Sequence, residues 1–169
     1  MIIRQERIED YKEVYRLVKT AFETAEMSDG TEQDLVTALR NTEDFIPELS
    51  LIALDDKKII GHIMFTKVYV GGVTELALAP LSVHPDYQKQ GVGKTLIAEG
   101  HKIAASMGYE YSIVLGSEKY YPRFGYVPAE TFGIKAPFDV PLENYMAISL
   151  KENPIPVSGV VVYSKAFGI

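Results

Sequence analysis

Residues Leu76 to Ile97 read LALAPLSVHPDYQKQGVGKTLI, and the reading of this stretch decides the fold. Leu76 to Val83 is an apolar run with strand character. Pro85 and Asp86 make a turn, two glycines follow within Gln88–Thr95, and a helical pattern then begins. Strand, glycine loop and helix in that order aim several backbone N–H groups at one anion, the layout of a phosphate cradle. Spacing separates three versions of it. The pattern G-x-x-x-x-G-K-[ST] ends correctly at Gly93–Lys94–Thr95, but its opening glycine would fall on Gln88. The pattern G-x-G-x-x-G is met by Gly91 and Gly93, but its third place holds Leu96, and the loop lies far from the N-terminal strand. The pattern [Q/R]-x-x-G-x-[G/A] is met in full by Gln88, Gly91 and Gly93.

A second patch lies one helix and one strand later: VLGSEKYYPRFGY, Val114 to Tyr126. Tyr121, Gly125 and Tyr126 fit a Y-x-x-x-G-[FY] signature. Together the two patches resemble the GNAT superfamily of N-acetyltransferases, and in particular its YhbS-like branch. The resemblance covers nearly the whole chain; it is strongest from Leu76 to Tyr126 and weak at the C-terminal end.

Composition agrees with an enzyme-sized globular unit. The 169 residues are enough for one domain with its own core, and 47% hydrophobic with 24% charged is ordinary globular usage. With no cysteine there are no disulfides and no thiolate metal sites, and His62, His84 and His101 lack metal-ligand spacing, so no metal is expected. A net charge of −6 argues against nonspecific nucleic-acid binding. No apolar run reaches membrane-spanning length, and Met1–Gln5 has no signal-peptide architecture, so the expectation is a cytoplasmic protein without a membrane partner.

Taken in order, the chain reads as alternating strands and helices. Ile2–Gln5 is a first strand, and Ile8 to Ala25 a helix with Val14, Leu17, Val18, Ala21 and Phe22 on one face. Thr31 to Arg40 is a second helix with Thr31 as N-cap and Leu35, Val36 and Leu39 inward. Strands follow at Leu49–Leu54, Lys58–Val70 and Thr74–Val83, joined by turns at Asp55–Lys58 and Gly71–Gly72. Pro80 inside the fourth strand marks a bulge or an edge. Gly91 to Met107 is the third helix, with Val92, Leu96, Ile103 and Met107 on one face, and Tyr109 to Leu115 the fifth strand. The strand–helix–strand crossover makes the fourth and fifth strands parallel. Ser117 to Phe124 is a short helix or turn. Two more strands fall near Tyr145–Leu150 and Val160–Ala166, and the proline-rich pieces between them are loops. The expected fold is α/β: one GNAT-like domain over residues 1–169, a mixed and mostly antiparallel twisted sheet flanked by helices, with a splayed parallel pair of central strands.

The resemblance assigns roles. Gln88, Lys89, Gln90, Gly91, Val92, Gly93, Lys94 and Thr95 would hold the pyrophosphate of acetyl-CoA, the expected cosubstrate. The backbone of Leu81, Ser82 and Val83 would pair with pantetheine, and an exposed N–H there would steady the thioester oxygen. Tyr121 would protonate the departing CoA sulfur, since a phenol stays protonated at neutral pH. Tyr120 is its neighbouring alternative. Tyr120 and Phe124 would stand beside the cofactor, though Phe124 also reads as packing the core beneath the loop, and Arg123 either meets a CoA phosphate or caps the sheet. An ammonium must lose a proton before attack; Glu75, the one acid on the fourth strand, is the candidate base, with His84 the other. Both also have plain readings, as an exposed strand residue and a turn residue. The acids Glu23, Glu26, Asp29, Glu32 and Asp34, with no basic residue between Thr20 and Leu39, are either a solvated face or an edge of the acceptor site. The acceptor expected is a small-molecule or peptide amine, and the resemblance also allows a homodimer. Two other functions stay in view: an acyl-CoA sensor without turnover, and a P-loop hydrolase resting only on Gly93–Lys94–Thr95.

Overall fold

The computed structural model describes residues 1–26 and 28–169. The chain runs β1 (Ile2–Gln5), α1 (Tyr11–Phe22), α2 (Glu32–Arg40), β2 (Phe45–Asp55), β3 (Lys58–Val70), β4 (Val73–Val83), α3 (Val92–Ser106), β5 (Tyr111–Leu115), β6 (Val127–Pro128), β7 (Ile134–Lys135), β8 (Tyr145–Ser149) and β9 (Gly159–Val162). The main path of the sheet is β1-β2-β3-β4-β5-β8-β6, with β9 joined to β3 and β7 joined to β9. Every neighbour is antiparallel except β4–β5 and β7–β9, which are parallel. The β4–β5 pair is the crossover around α3 that the sequence predicts.

Alternation along β3, interrupted at Ile60 where the ladder with β2 shifts register, sorts the sheet into two faces. Ile60, Ile63 and Phe65 join Leu51, Ala53, Leu76, Leu78, Val92, Leu96 and Ile97 in the core beneath α3. Met64 faces the other way, with Ile52 and Ile59, against Val14, Leu17, Val18, Val36 and Leu39 of α1 and α2. Val68 and Val70 continue that second face under the C-terminal segment, where Ala77, Tyr111, Ile113, Tyr145 and Ala147 meet Phe138 and Tyr163. The three-and-four spacing of α1 therefore buries Val14, Leu17 and Val18, while Ala21 and Phe22 of the same face are only half-buried.

Four local expectations differ. The first helix begins as a 3₁₀ turn at Ile8–Asp10 and ends at Phe22. Thr31 stands before α2 but accepts no capping bond; its hydroxyl donates to Asp29 Oδ1 at 2.6 Å, held by the turn that precedes the helix. Met107 is 42% exposed, because α3 stops at Ser106 and Met107 already lies in the exit turn. The last strand stops at Val162 and gives way to a 3₁₀ turn at Lys165–Phe167.

His62 is buried and His101 half-buried, and in each case burial holds the ring neutral with its pKa lowered to about 4. The Nε2 of His101 meets the Tyr126 hydroxyl at 2.8 Å, which in turn meets Ser112 Oγ at 2.8 Å. Below the unfolded value of about 6.5, the unfolded chain takes up protons that the folded chain refuses. Stability is thus expected to fall as pH drops from about 6.5 to about 4, by at most about 3 kcal/mol for each ring. Glu75, whose carboxyl is raised by burial, works in the opposite sense. Urea unfolding at stepped pH checks this, and His101→Gln is expected to flatten the slope. A midpoint that does not move across that range would refute it.

Candidate active site where β4 and β5 part

β4 and β5 share only two partner pairs, Leu76–Ser112 and Ala77–Ile113. Beyond them β4 runs on to Val83 and β5 to Leu115 with no further pairing. The cause lies on the opposite edge of β4. Its ladder with β3 passes from Phe65–Leu78 to Ile63–Leu81, so Met64 faces both Ala79 and Pro80. That is the bulge expected at Pro80, and a bulge bends its strand away from its neighbour. From Leu78 to Val83, the backbone groups on the β5 side therefore face a gap rather than a ladder. Such an edge can take one more extended segment.

Glu75 sits at the closed end of this wedge. Its Oε1 accepts the N–H groups of Glu110 and Tyr111, each at 3.0 Å, and the residue is 1% exposed. It ties the start of β5 to β4. It also lies six residues before Leu81, about 20 Å along the strand at roughly 3.3 Å per residue. The structure thus corrects the reading of Glu75 as the base: the side chain is neither at the open end nor free. Glu75→Gln keeps an acceptor oxygen, so it is expected to leave kcat within about twofold, whereas Glu75→Ala orphans two N–H groups and should cost about 2–4 kcal/mol of stability. A folded Gln variant that loses tenfold or more in kcat would return Glu75 to the chemistry. His84 is a turn residue: its Nδ1 accepts the Asp86 N–H at 3.2 Å.

The glycine loop forms the other end. Gly91 takes φ +85° immediately before α3, a conformation that favours glycine. The N–H groups of Val92, Gly93 and Lys94 have no protein acceptor among the described residues, as expected for a first helical turn. They sit at the positive end of the helix dipole, beside the exposed Lys89 and Lys94. Gln88 braces the loop by donating to the Val83 carbonyl at 3.3 Å, and Gln90 by donating to that of Asp86 at 3.1 Å. The side chain of Val92 points into the core, leaving its N–H for the loop. Thr95 departs from expectation. Its N–H and its hydroxyl both donate to the Gly91 carbonyl, at 3.0 and 2.8 Å, so it closes the turn and offers no donor to an anion.

Four aromatic rings fill the space between α3 and the end of β5. The Tyr120 hydroxyl rests on Gly93, where an added Cβ would lie 2.2 Å from it. Tyr121 lies against Gly116, edge-on to Tyr120 at 5.1 Å and to Tyr126 at 5.6 Å. Phe124 meets Tyr120 edge-on at 5.0 Å, and the Arg123 guanidinium lies 4.9 Å over the Tyr120 ring. Burial pushes the Tyr120 phenol above its ordinary value and that of Tyr121 far above it. Both stay protonated, and neither hydroxyl has a protein hydrogen-bond partner among the described residues.

On the face opposite α3, α1 packs across β3 and β4. A cavity of about 370 Å³ opens between its end and α2, lined by Lys19, Phe22, Glu23, Asp29, Glu32 and Gln33. Three acids of the sequence's acidic stretch thus edge one hollow, but Asp34 bonds the Tyr15 hydroxyl at 2.9 Å instead. Among the described residues, no group of three or more His, Cys, Asp or Glu is placed to hold a metal. Two residues gave no signal in the sequence and stand beside the site: His62 on β3 and the side chain of Ser82.

Comparison with known proteins puts a family to this geometry. The model of the acetyltransferase (GNAT) family matches residues 11–126, and the chain belongs to that family. It is 39% identical over 145 residues to the uncharacterized N-acetyltransferase YjhQ of Escherichia coli (strain K12), covering 81% of this chain and 80% of that protein. It is 30% identical over 171 residues to the uncharacterized N-acetyltransferase YhbS of the same strain, covering 99% and 98%. The crystal structure of Escherichia coli YhbS in complex with CoA superposes with a TM-score of 0.90 at 28% identity, over 99% of this chain and 92% of that one. A GNAT family acetyltransferase from Brucella melitensis, crystallised with acetyl-CoA, gives 0.81 at 32% identity over 98% and 97%.

Proposed function

We propose that this protein transfers the acetyl group of acetyl-CoA to a primary amine by direct attack. The observation that carries the reading is the unpaired β4 edge from Leu78 to Val83, which runs between the bulge and the free N–H groups of Val92, Gly93 and Lys94. A pyrophosphate with an extended amide-bearing arm fits that pair of features: the anion at the helix start, the arm as an added strand. Solved relatives of this fold hold CoA and acetyl-CoA.

Acetyl-CoA supplies an acyl group on a thioester. The chain supplies the rest. Backbone N–H groups of α3's first turn hold the phosphates, with Lys89 and Lys94 adding charge. Leu81, Ser82 and Val83 align the arm through their backbone, and a free N–H of that edge steadies the carbonyl oxygen as it gains charge. Tyr120 and Phe124 wall the arm. Tyr121 gives its proton to the departing sulfur. The amine arrives from the α1 face, where Glu23, Asp29 and Glu32 favour a cation. Most of the rate comes from positioning.

Calorimetry with acetyl-CoA, CoA, ATP and NAD, followed by CoA release with a panel of amines, tests this. Acetyl-CoA and CoA are expected to bind and ATP and NAD not to; binding of ATP alone would overturn the reading. The engagement of Glu75 in structure favours one second reading, an acyl-CoA sensor without turnover. Acetyl-CoA binding without CoA release for any amine would support it.

A further inference from the structure

Glu75, the one carboxylate of β4, is tied to the start of β5 and does not serve the open end of the wedge. That end has another group. Ser82 lies within the β4 segment Leu81–Val83, and its partner across the β3 ladder is His62. Both side chains share the face that carries α1, opposite α3. His62 is 0% and Ser82 1% exposed.

The hydrogen bonds behind His62 fix which ring nitrogen carries the proton. The Glu6 carboxylate accepts from Arg40 Nε and Nη2 at 3.0 and 2.7 Å, and its Oε1 also accepts from the Ser50 hydroxyl at 2.6 Å. Ser50 has one proton and gives it to Glu6. Its 3.2 Å contact with His62 Nε2 must then be made by an Nε2–H donating to Ser50 Oγ. A neutral imidazole protonated at Nε2 carries a bare lone pair at Nδ1. Among the described residues that Nδ1 has no hydrogen-bond partner, and neither has Ser82 Oγ; both atoms are buried. Buried polar atoms without partners are rare and costly. Two of them on facing residues, whose Cβ atoms sit about 5 Å apart in such a ladder, are complementary as donor and acceptor; they make no direct bond, and a single water joins such a pair.

We propose that Ser82 and His62 are the proton relay of the acetyl transfer: the Ser82 hydroxyl takes the proton of the attacking amine while passing its own to His62 Nδ1. The inference rests on the acetyl-transfer reading above. The step balances. One N–H bond of the amine breaks and an O–H bond forms on Ser82; the original O–H breaks and an N–H forms at Nδ1. The positive charge moves from nitrogen to imidazolium, and the proton leaves to solvent after the product. Tyr121 separately protonates the sulfur. The charged groups facing the ring are Glu6, just after β1, which favours the imidazolium, and Arg40 of α2, which opposes it. A weak base suffices, because an ammonium proton becomes far more acidic once its nitrogen bonds the acyl carbon. In this relay Ser82 is the group that meets the amine, through water at its buried Oγ, and His62 acts through it as a positioning residue.

The test combines ¹⁵N imidazole NMR with kinetics on Ser82→Ala, His62→Gln and the double variant. The ring is expected as the Nε2–H tautomer, neutral down to about pH 5, with an Nδ1 signal that shifts in Ser82→Ala. Each single change should lower kcat about 100-fold with acetyl-CoA Kd within about threefold, and the double should be no worse than either single. Ser82→Ala deletes one atom, so it keeps the test open if His62→Gln fails to fold. An Nδ1–H tautomer, an unchanged kcat in Ser82→Ala, or single losses that multiply in the double variant would overturn the relay. A wild-type protein that turns over none of the amines would instead overturn the acetyl-transfer reading.

Discussion

Tyr121→Phe is expected to lower kcat by about 10²- to 10⁴-fold while the acetyl-CoA Kd stays within about threefold. The separation follows from how the ring is held. Tyr121 is fixed by edge-on packing against Tyr120 and Tyr126 and by the face of Gly116, all of which phenylalanine keeps. Its hydroxyl bonds no protein group among the described residues, so removing it leaves nothing unpartnered, and stability should not change. What is lost is a proton donor whose pKa burial has raised far above the ordinary phenol value. Because that shift is upward, Tyr121 stays protonated past about pH 10, and any alkaline fall in rate below that point belongs to another group. Tyr120→Phe is the control. Its hydroxyl rests on Gly93 at the start of α3, so its loss should be felt in acetyl-CoA affinity more than in kcat. If Tyr121→Phe keeps full kcat and Tyr120→Phe does not, the acid is one residue earlier. Steady-state kinetics with calorimetry on both variants decides the matter.

The tyrosines also show what a sequence can and cannot carry. Tyr121 is located by its spacing to Gly125–Tyr126, its role as the acid being a proposal, and β3 from Lys58 to Val70 is found from the turn signals at both ends, because such features are local. Pro80 could be read as a bulge for the same reason: proline lacks a ladder donor wherever it stands. Glu75 was misread because strand alternation says only that a side chain faces one side of a sheet. Whether it meets water or the N–H groups of Glu110 and Tyr111 depends on a crossover that returns 35 residues later. Thr95 was assigned to the cofactor as part of a loop pattern, which is blind to the helix turn consuming both its donors. The two-residue strands β6 and β7 carry no periodicity to detect, and β7 exists only because β9 pairs with it. The relay at His62 is the extreme case, since it joins residues from β1's end, β2, β3 and β4.

The same network makes Arg40 a costly residue to lose away from the wedge. Arg40→Met is expected to destabilise the fold by about 3–5 kcal/mol, because it strands a buried carboxylate without its partner. The pair is closed to water: the side chains of Arg40 and Glu6 are 7% and 1% exposed. It joins positions 34 residues apart, through two hydrogen bonds, and Arg40 also lies 3.8 Å over the Tyr11 ring. Against a total of about 5–15 kcal/mol, that loss brings the protein close to unfolding at room temperature. The physical claim is about the orphaned charge rather than the bond. Adding Glu6→Gln to Arg40→Met removes that charge while an amide oxygen still accepts from Ser50, and the double variant should recover at least about half of the loss. Urea unfolding of the three proteins at pH 7 measures it. Losses that add, or an Arg40→Met cost below about 1 kcal/mol, would mean that solvent reaches Glu6 and that the charge behind Ser50 and His62 is already screened.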